Sequence, residues 1–346
     1  MNLPKLQNLS VGGKKVILRA DLDVEIGRED EDYRLKALIP TLKYLSDNKA
    51  RTVIIGHKGR PEGKVTKELS LEPVAQRLGE LSGYQIGFFN GSLKDAKAES
   101  EKVSGGGFLC LENLRFDIRE EKNDQEFAKE LASLGDVYVN EAFATHSLHA
   151  STVTLPKLFP HAAGLRFVEE FEKLGAVLEN PKRPVLVVIG GAKKDKTDYI
   201  EPLKGKADKI LVGGRLPEYL GDNTVSIRSL DENEKVVIAN LMMDKEDITI
   251  HSIERFEEEI SKAKTIVVAG PMGKYEEEGH RQGTERIFSA VAASQASFKV
   301  AGGGDTIAAI YLLGIEGKFD WISVGGGAML EFLAKKTLPG IEALLS

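Results

Sequence analysis

No stretch of this chain is apolar for long enough to cross a bilayer, and its first residues, Met-Asn-Leu-Pro-Lys-Leu-Gln, lack the core of a signal peptide. A single cysteine, Cys110, rules out an internal disulfide, and its place in the apolar run Phe108–Leu111 marks it as a small core residue. Basic residues do not outnumber acidic ones. The net charge of −6 argues against a nucleic-acid binder, which would carry a basic face. Together these absences lead us to expect a cytoplasmic protein that engages neither membrane nor nucleic acid. Two familiar nucleotide signatures are missing as well. The P-loop requires four residues between its first glycine and Gly-Lys-Ser/Thr, and no such string occurs. The fingerprint G-x-G-x-x-G fails twice on its third glycine: Gly302-Gly-Gly304 is followed by Asp-Thr-Ile307, and Gly325-Gly-Gly327 by Ala-Met-Leu330.

What the second half has instead is a recurring unit, a short apolar run ending in glycine. Val185–Ile189 leads into Gly190-Gly191, Ile210–Val212 into Gly213-Gly214, and Thr265–Ala269 into Gly270-Pro-Met-Gly273. Phe298–Ala301 leads into Gly302-Gly-Gly-Asp305, and Trp321–Val324 into Gly325-Gly-Gly327. Runs of this length, rich in Val and Ile, read as strands buried on both faces. Glycine at a strand end permits a tight turn and close approach of a ligand to the main chain, and a following helix turns its free N–H groups toward an anion. Such turns along one sheet edge describe a nucleotide site in an open α/β fold. Close strand–helix packing alone would not need five of them.

The first half alternates strands and helices. Lys15–Leu18, Thr52–Ile55, Ile86–Phe89, Phe108–Leu111 and Val137–Val139 read as strands. Leu35, Leu38, Ile39, Leu42 and Leu45 repeat at helical spacing. Ser70–Leu81, with Ser70 as N-cap, and Asp124–Leu134 are further predicted helices. The length of 346 residues suits two domains. The amphipathic segment 167–180 joins them, stopped by Asn180-Pro-Lys-Arg-Pro184. The predicted fold is α/β, two lobes that are each an open parallel sheet flanked by helices, connected by that hinge helix.

Cationic and polar residues gather at the strand ends of the first half: Arg19, Asp21, Arg34, His57, Arg60, Arg115, His146 and His149. The planar fork of Arg suits carboxylates and phosphates. Several arginines at successive strand ends should converge on one crevice, because ligands of open α/β sheets bind at the carboxyl ends of strands. The three histidines have no thiolate or fixed ligand spacing beside them, so anion contact or core hydrogen bonding is expected rather than metal binding.

In order along the chain, these segments resemble those of phosphoglycerate kinase. The matching strings are Arg19-Ala-Asp21-Leu-Asp-Val24, Gly56-His57-Lys-Gly59-Arg60-Pro61, Leu111-Glu-Asn-Leu-Arg115-Phe116 and Gly135-Asp-Val-Tyr-Val-Asn-Glu-Ala-Phe143. Gly190-Gly-Ala-Lys193, Gly270-Pro-Met-Gly273, Gly302-Gly-Gly-Asp305-Thr306 and Gly325-Gly-Gly-Ala328 continue the series. The resemblance implies a kinase that closes on a hinge and reversibly transfers a phosphoryl group between ATP and the carboxylate of 3-phosphoglycerate, with magnesium. It implies an acceptor lobe over 1–166, a hinge over 167–180, a nucleotide lobe over 181–332 and a tail, 333–346, that packs back on the first lobe. Asp21, Asp23, Arg34, His57, Arg60 and Arg115 would bind the acceptor. Lys193, Lys196, Gly213, Glu276, Gly303, Gly304, Asp305, Thr306 and Gly325 would bind ATP or ADP, with Glu276 at the ribose and Asp305 near the metal. Arg34, Lys193, Gly304 and Gly326 would act on the transferring group. Family members are usually monomers.

This chain also departs from the family pattern. Thr145-His146-Ser147-Leu148-His149 is one residue shorter than the family string, and Ser147 stands where an arginine grips the acceptor's phosphate. Asp23 replaces an asparagine. Losing one charge-assisted bond costs roughly 1.5–3 kcal/mol, about ten- to 150-fold in affinity. With one deletion allowed, Lys196 takes the place of the family's second lysine; otherwise Thr197 stands there. Val324 replaces a threonine, Pro217 points to a shortened or shifted helix, and the stretch from Gly214 to Gly270 is short, leaving less chain for adenine contacts. Three readings fit: an active phosphoglycerate kinase, a same-fold kinase with another carboxylate acceptor, or a non-catalytic nucleotide-binding relative. Presence of Arg34, Lys193 and Asp305 together weighs against the last.

Overall fold

Continuous apolar runs become the central strands of this molecule, and shorter, less apolar ones become its edges. The structure, a computed structural model, describes residues 2–221 and 234–346. Among the described residues, twelve strands form two parallel sheets of six, each in its own compact unit.

The first unit comprises residues 1–172 and the last ten, 337–346. Its strands are β1 (Lys15–Arg19), β2 (Arg51–Ile55), β3 (Ile86–Phe89), β4 (Phe108–Leu111), β5 (Val137–Asn140) and β6 (His161–Ala163), in the order β3-β4-β2-β1-β5-β6. Its helices before the connecting one are α1 (Glu29–Lys36), α2 (Ile39–Asp47), α3 (Glu72–Ser82), α4 (Leu93–Glu101), α5 (Ile118–Glu121) and α6 (Gln125–Ala132). Ile17 of β1 pairs with Val53 on one side and Tyr138 on the other, and all three are buried. Cys110 lies within β4, buried and with its thiol pushed up to about 12 by burial. The chain lays β2, β3 and β4 on one side of β1 and returns to the other side for β5 and β6. Loops leaving β1 and β5 therefore part in opposite directions, the arrangement that opens a ligand crevice.

The second unit, 173–336, carries β7 (Val185–Ile189), β8 (Lys209–Val212), β9 (Val236–Ile238), β10 (Thr265–Ala269), β11 (Phe298–Gly302) and β12 (Trp321–Ser323). Their order is β12-β11-β10-β7-β8-β9, with the corresponding reversal between β7 and β10. Every residue of β7 and β10 is buried, as strands covered on both faces require.

The connecting helix is α7 (Leu165–Glu179), and the division between units falls inside it, between Glu172 and Lys173. Its first turn is capped from elsewhere in the first unit. The Glu141 carboxylate accepts the N–H groups of Arg166 at 3.0 Å and Phe167 at 2.9 Å, and Thr41 Oγ1 accepts that of Leu165 at 3.0 Å. Gly164 is required here, because a Cβ would lie 2.1 Å from Glu141 Oε2. Burial raises the Glu141 carboxyl to about 7, against the pull of these donors.

The remaining helices are α8 (Ile200–Leu203), α9 (Leu216–Tyr219), α10 (Ile250–Lys262), α11 (Gln282–Ala293), α12 (Gly304–Leu313), α13 (Gly326–Lys335) and α14 (Pro339–Leu345). Residues 333–336 finish α13 and the turn after it, within the second unit, so the returning tail starts at Thr337 rather than at 333. Its helix α14 buries Ile341 and Leu344 in the first unit, where His161 Nε2 lies 3.2 Å from the Leu344 carbonyl.

Several local expectations need correction. The helical spacing from Leu35 to Leu45 is split into α1 and α2 by a turn at 37–38, with Pro40 at the start of the second. Ser70 is not the N-cap of α3. The helix begins after Leu71, and the Ser70 hydroxyl donates to Glu112 at 2.8 Å. β6 and β9, three residues each, are two strands beyond those read from the sequence. With Pro217 in its first turn, α9 is a single turn long.

Candidate functional site

In the first unit, three arginines and two histidines form one contiguous cluster. Arg34, on α1, meets Asp21 through two nitrogens, with NH2 2.9 Å from both carboxylate oxygens and Nε 3.2 Å from Oδ2. It also pairs with Glu31 one turn earlier at 3.3 Å and donates to the Asp23 carbonyl. Asp23 Oδ1 accepts the Gly59 N–H at 2.8 Å, and the Gly59 carbonyl accepts from Arg115 NH1 at 2.6 Å. Arg115 NH2 then reaches His149 Nε2 at 3.4 Å, and the His149 ring stands edge-on to His57, with centroids 5.9 Å apart. His57 Nδ1 lies 2.6 Å from Arg19 NH2.

Beneath them sits a carboxylate that sequence reading missed. Glu120, fully buried, accepts both the N–H and the hydroxyl of Ser151, and Arg19 Nε donates to the same hydroxyl at 2.9 Å. Nothing local marks Glu120, because its partners lie thirty residues away. Arg19 itself is fully buried and committed to internal bonds, so it supports the cluster rather than lining it. Arg60 is exposed and has no hydrogen bond or ion pair with a described residue. Ser147 and Leu148 are exposed as well.

Burial, then the guanidiniums of Arg19 and Arg115, hold His57 well below the usual histidine range. Burial and Arg115 push His149 down to about 3. Both rings are therefore neutral at pH 7, and the permanent positive charge is that of the arginines. Two buried nitrogens of the cluster make no hydrogen bond but face carboxylates, Arg115 Nε 3.4 Å from Glu121 and His149 Nδ1 4.0 Å from Glu120.

In the second unit the strand ends meet as bare backbone. A Cβ on Gly190 would lie 2.2 Å from the Pro271 carbonyl, and one on Gly214 would lie 2.4 Å from the Gly191 nitrogen. Gly303 and Gly326 open α12 and α13 side by side, and a Cβ on Gly326 would sit 2.6 Å from the Gly303 Cα. Two helix N-termini thus start at one place, each with unpaired N–H groups. At the reversal between β7 and β10 lies a cavity of about 480 Å³, with Gly191, Gly214 and Pro271 in its wall and Glu276 and Asp305 at its edge.

Lys196 Nζ lies across this reversal, 2.9 Å from the Gly190 carbonyl and 3.2 Å from that of Ala269. Burial pushes its ammonium down to about 8, partly opposed by the Asp305 carboxylate. Thr197 turns away and bonds the Lys194 carbonyl at 2.7 Å. Lys193, Glu276 and Asp305 are exposed. Two predicted nucleotide residues instead hold the framework. Thr306 Oγ1 accepts the Gly270 N–H at 2.8 Å, and Gly213, whose N–H bonds the Ile189 carbonyl, makes room for Met272. Gly304 begins α12, and Gly325 is the N-cap of α13.

Two supports of this loop were not predicted. Asp247, buried, accepts from the N–H groups of Ile248 and Gly283, and Thr284 Oγ1 accepts from those of Met272 and Gly273. Among the described residues, no three His, Cys, Asp or Glu side chains converge as a metal site.

Known proteins share this arrangement. The family model described as phosphoglycerate kinase matches residues 6–249 and 222–336. The phosphoglycerate kinase of Dictyoglomus turgidum is 38% identical, covering 98% of this chain and 97% of its own. That of Finegoldia magna is 37% identical, covering 99% of both. The first alignment spans 386 positions against a chain of 346, so the relative carries segments that this one lacks. Among solved structures, phosphoglycerate kinase from Pyrococcus horikoshii superposes with a TM-score of 0.85 at 29% identity, covering 99% of this chain and 98% of that one. The Coxiella burnetii enzyme gives 0.79 at 31%, covering 99% of both. Two six-stranded parallel sheets, a buried arginine cluster on one and a glycine-walled cavity on the other, thus accompany full-length similarity, and the chain belongs to the phosphoglycerate kinase family.

Proposed function

We propose that the arginine cluster of the first unit holds 3-phosphoglycerate and that the glycine-walled cavity of the second holds ATP or ADP. The reaction is that of the family, reversible phosphoryl transfer between ATP and a carboxylate. The observation that carries the assignment is the contrast in chemistry. Arg34 and Arg115 supply guanidinium forks held in fixed geometry, whereas the other site offers backbone N–H groups at two helix starts. A compact anion bearing a carboxylate and a phosphate suits the first, and a polyphosphate suits the second.

The acceptor carboxylate, with a pKa near ~4, is already ionised at neutral pH and needs no general base. The protein's part is then to align the groups and to stabilise charge on the phosphoryl being moved. Arg34 is the acceptor-side cation for this, oriented by Asp21, Glu31 and the Asp23 carbonyl. Lys193, with Lys196 behind it, serves the nucleotide side. Gly304 and Gly326 present main-chain donors to the transferring group. A single carboxylate, Asp305, suits magnesium, which keeps several waters and takes substrate phosphates as its other ligands. Bound there with the nucleotide, the ion would neutralise phosphate charge. The net charge of −6 favours a protein without nucleic-acid partners, membership of the family favours a cytoplasmic monomer, and no helix among the described residues is long and apolar enough to cross a membrane.

Steady-state transfer from magnesium-ATP to 3-phosphoglycerate tests this, with the wild type beside Arg34→Lys. Lysine keeps the charge but cannot match the forked contact with Asp21. Turnover by the wild type that the variant largely loses is the expected result. Equal turnover in both would remove Arg34 from the mechanism. Measurable ATP binding without turnover would move the search to other carboxylate acceptors.

A further inference from the structure

A cavity of about 710 Å³, larger than the one assigned to the nucleotide, opens in the first unit at the carboxyl ends of β3 and β4, beside α4 and α6. Its apolar wall includes Phe89, Leu93, Leu111, Phe116 and Phe127. Gly91 makes this possible, since a Cβ there would lie 2.4 Å from Cζ of the Phe89 ring. The charges around it are unequal in their engagement. Glu112 accepts from Ser70 Oγ, Leu71 N and Asn113 N, each at 2.8 Å. Asp117 and Glu130 both take Arg119, whose guanidinium also lies 5.0 Å over the Phe127 ring. Lys94 and Lys97, exposed on α4, make no ion pair with a described residue. The unengaged charge is thus positive, beside three phenylalanine rings.

We propose that this cavity is a second small-molecule site, selective for an aromatic carboxylate, and that filling it changes the affinity of the arginine cluster for its own ligand. The aromatic body lies among the phenylalanines, and the carboxylate meets Lys94 and Lys97. The coupling runs through the segment 112–116, which walls the cavity and carries Arg115. Within it Asn113 Nδ2 donates to the carbonyls of Lys58 at 2.7 Å and Leu69 at 2.9 Å, tying the wall to the His57–Gly59 turn. This coupling rests on the acceptor reading given above, whereas the binding itself does not.

Calorimetric titration of the full chain with 2-naphthoate tests the site, using wild type, the double variant K94E/K97E and Ser133→Trp. Ser133 is exposed on the cavity wall, so an indole there fills space without disturbing the core. One saturable site, weakened about tenfold or more in both variants, is expected. No binding by wild type, or binding that survives both variants and is lost in Arg115→Ala, would overturn the site, the latter by placing the probe in the arginine cluster. A second titration, of 3-phosphoglycerate with and without saturating naphthoate, should show at least about a threefold change in affinity, and an unchanged value would overturn the coupling. Naphthoate binding as expected by a chain that binds no 3-phosphoglycerate would sink the acceptor reading and the coupling while upholding the site.

Discussion

The two units use the same sheet architecture to build opposite kinds of surface. At the carboxyl ends of β1, β2, β4 and β5 the first unit places long charged side chains, buried and braced by one another. At the ends of β7, β8, β10, β11 and β12 the second unit places glycines and leaves mostly main chain and helix starts. A compact acceptor with a few charges can be gripped by forks of fixed geometry. A polyphosphate is matched by many backbone donors that only a chain without Cβ atoms can bring close. The lesson is that vulnerability differs by site. One should fail when atoms are taken away, the other when atoms are added.

The largest effect should come from Arg34→Lys, with kcat/KM for 3-phosphoglycerate falling by about 10²–10³, the worth of one positioned donor to developing charge. Nucleotide affinity, measured by calorimetry, should not change. Next is Gly326→Ala, which inverts that pattern. Its methyl group meets the Gly303 Cα, so overpacking of about 1–3 kcal/mol should appear as roughly five- to 150-fold weaker ATP binding, with 3-phosphoglycerate binding retained. If Gly326→Ala weakens acceptor binding instead, the division of labour between the sheets is wrong.

A smaller effect concerns Lys196, whose charged form is the one that attracts phosphate. With its ammonium at about 8, nucleotide affinity should drop by up to about fivefold between pH 8 and 9, and Lys196→Met should flatten that dependence. The smallest is in stability. For His149 the unfolded chain binds more protons between about 3 and 6.5, so the stability it supports is complete above 6.5 and is lost as pH falls toward 3. His57 has the same sign. Glu141 has the opposite one, because its carboxyl is raised from 4.5 to about 7. The stability it supports is complete below 4.5 and is lost as pH rises through 7. Thermal melts of the full chain should therefore rise up to about pH 6.5 and decline slightly beyond, and Glu141→Gln should flatten the decline.

The glycine-built surface was largely legible in sequence, because each strand end there is marked by residues adjacent in the chain. All five apolar runs of the second half are strands, and Gly303 and Gly326 open helices as anticipated. What failed was long-range. Glu120, Ser151, Asp247 and Thr284 act on partners far away in sequence, and no local pattern announces a buried carboxylate that braces an arginine. Arg19 was visible as a cation but not as a buried one, since exposure depends on what packs over it. β6 went unread because His161-Ala-Ala163 shows neither clean alternation nor an apolar β-branched run, whereas the run Val236–Ile238 of β9 lacks the glycine that marks the other strand ends of its sheet. The choice between Lys196 and Thr197 also needed geometry, which brings Lys196, not Thr197, to the carbonyls of Gly190 and Ala269.

Scarcity has left the molecule with a built-in reporter for each half. Its one tryptophan, Trp321, begins β12 in the second unit, and its one cysteine is sealed inside β4 of the first. Indole fluorescence therefore follows one sheet, and the unmasking of a thiol toward a disulfide reagent follows the other. A single denaturant series read by both probes would tell whether the halves melt together or apart, with no residue added or removed.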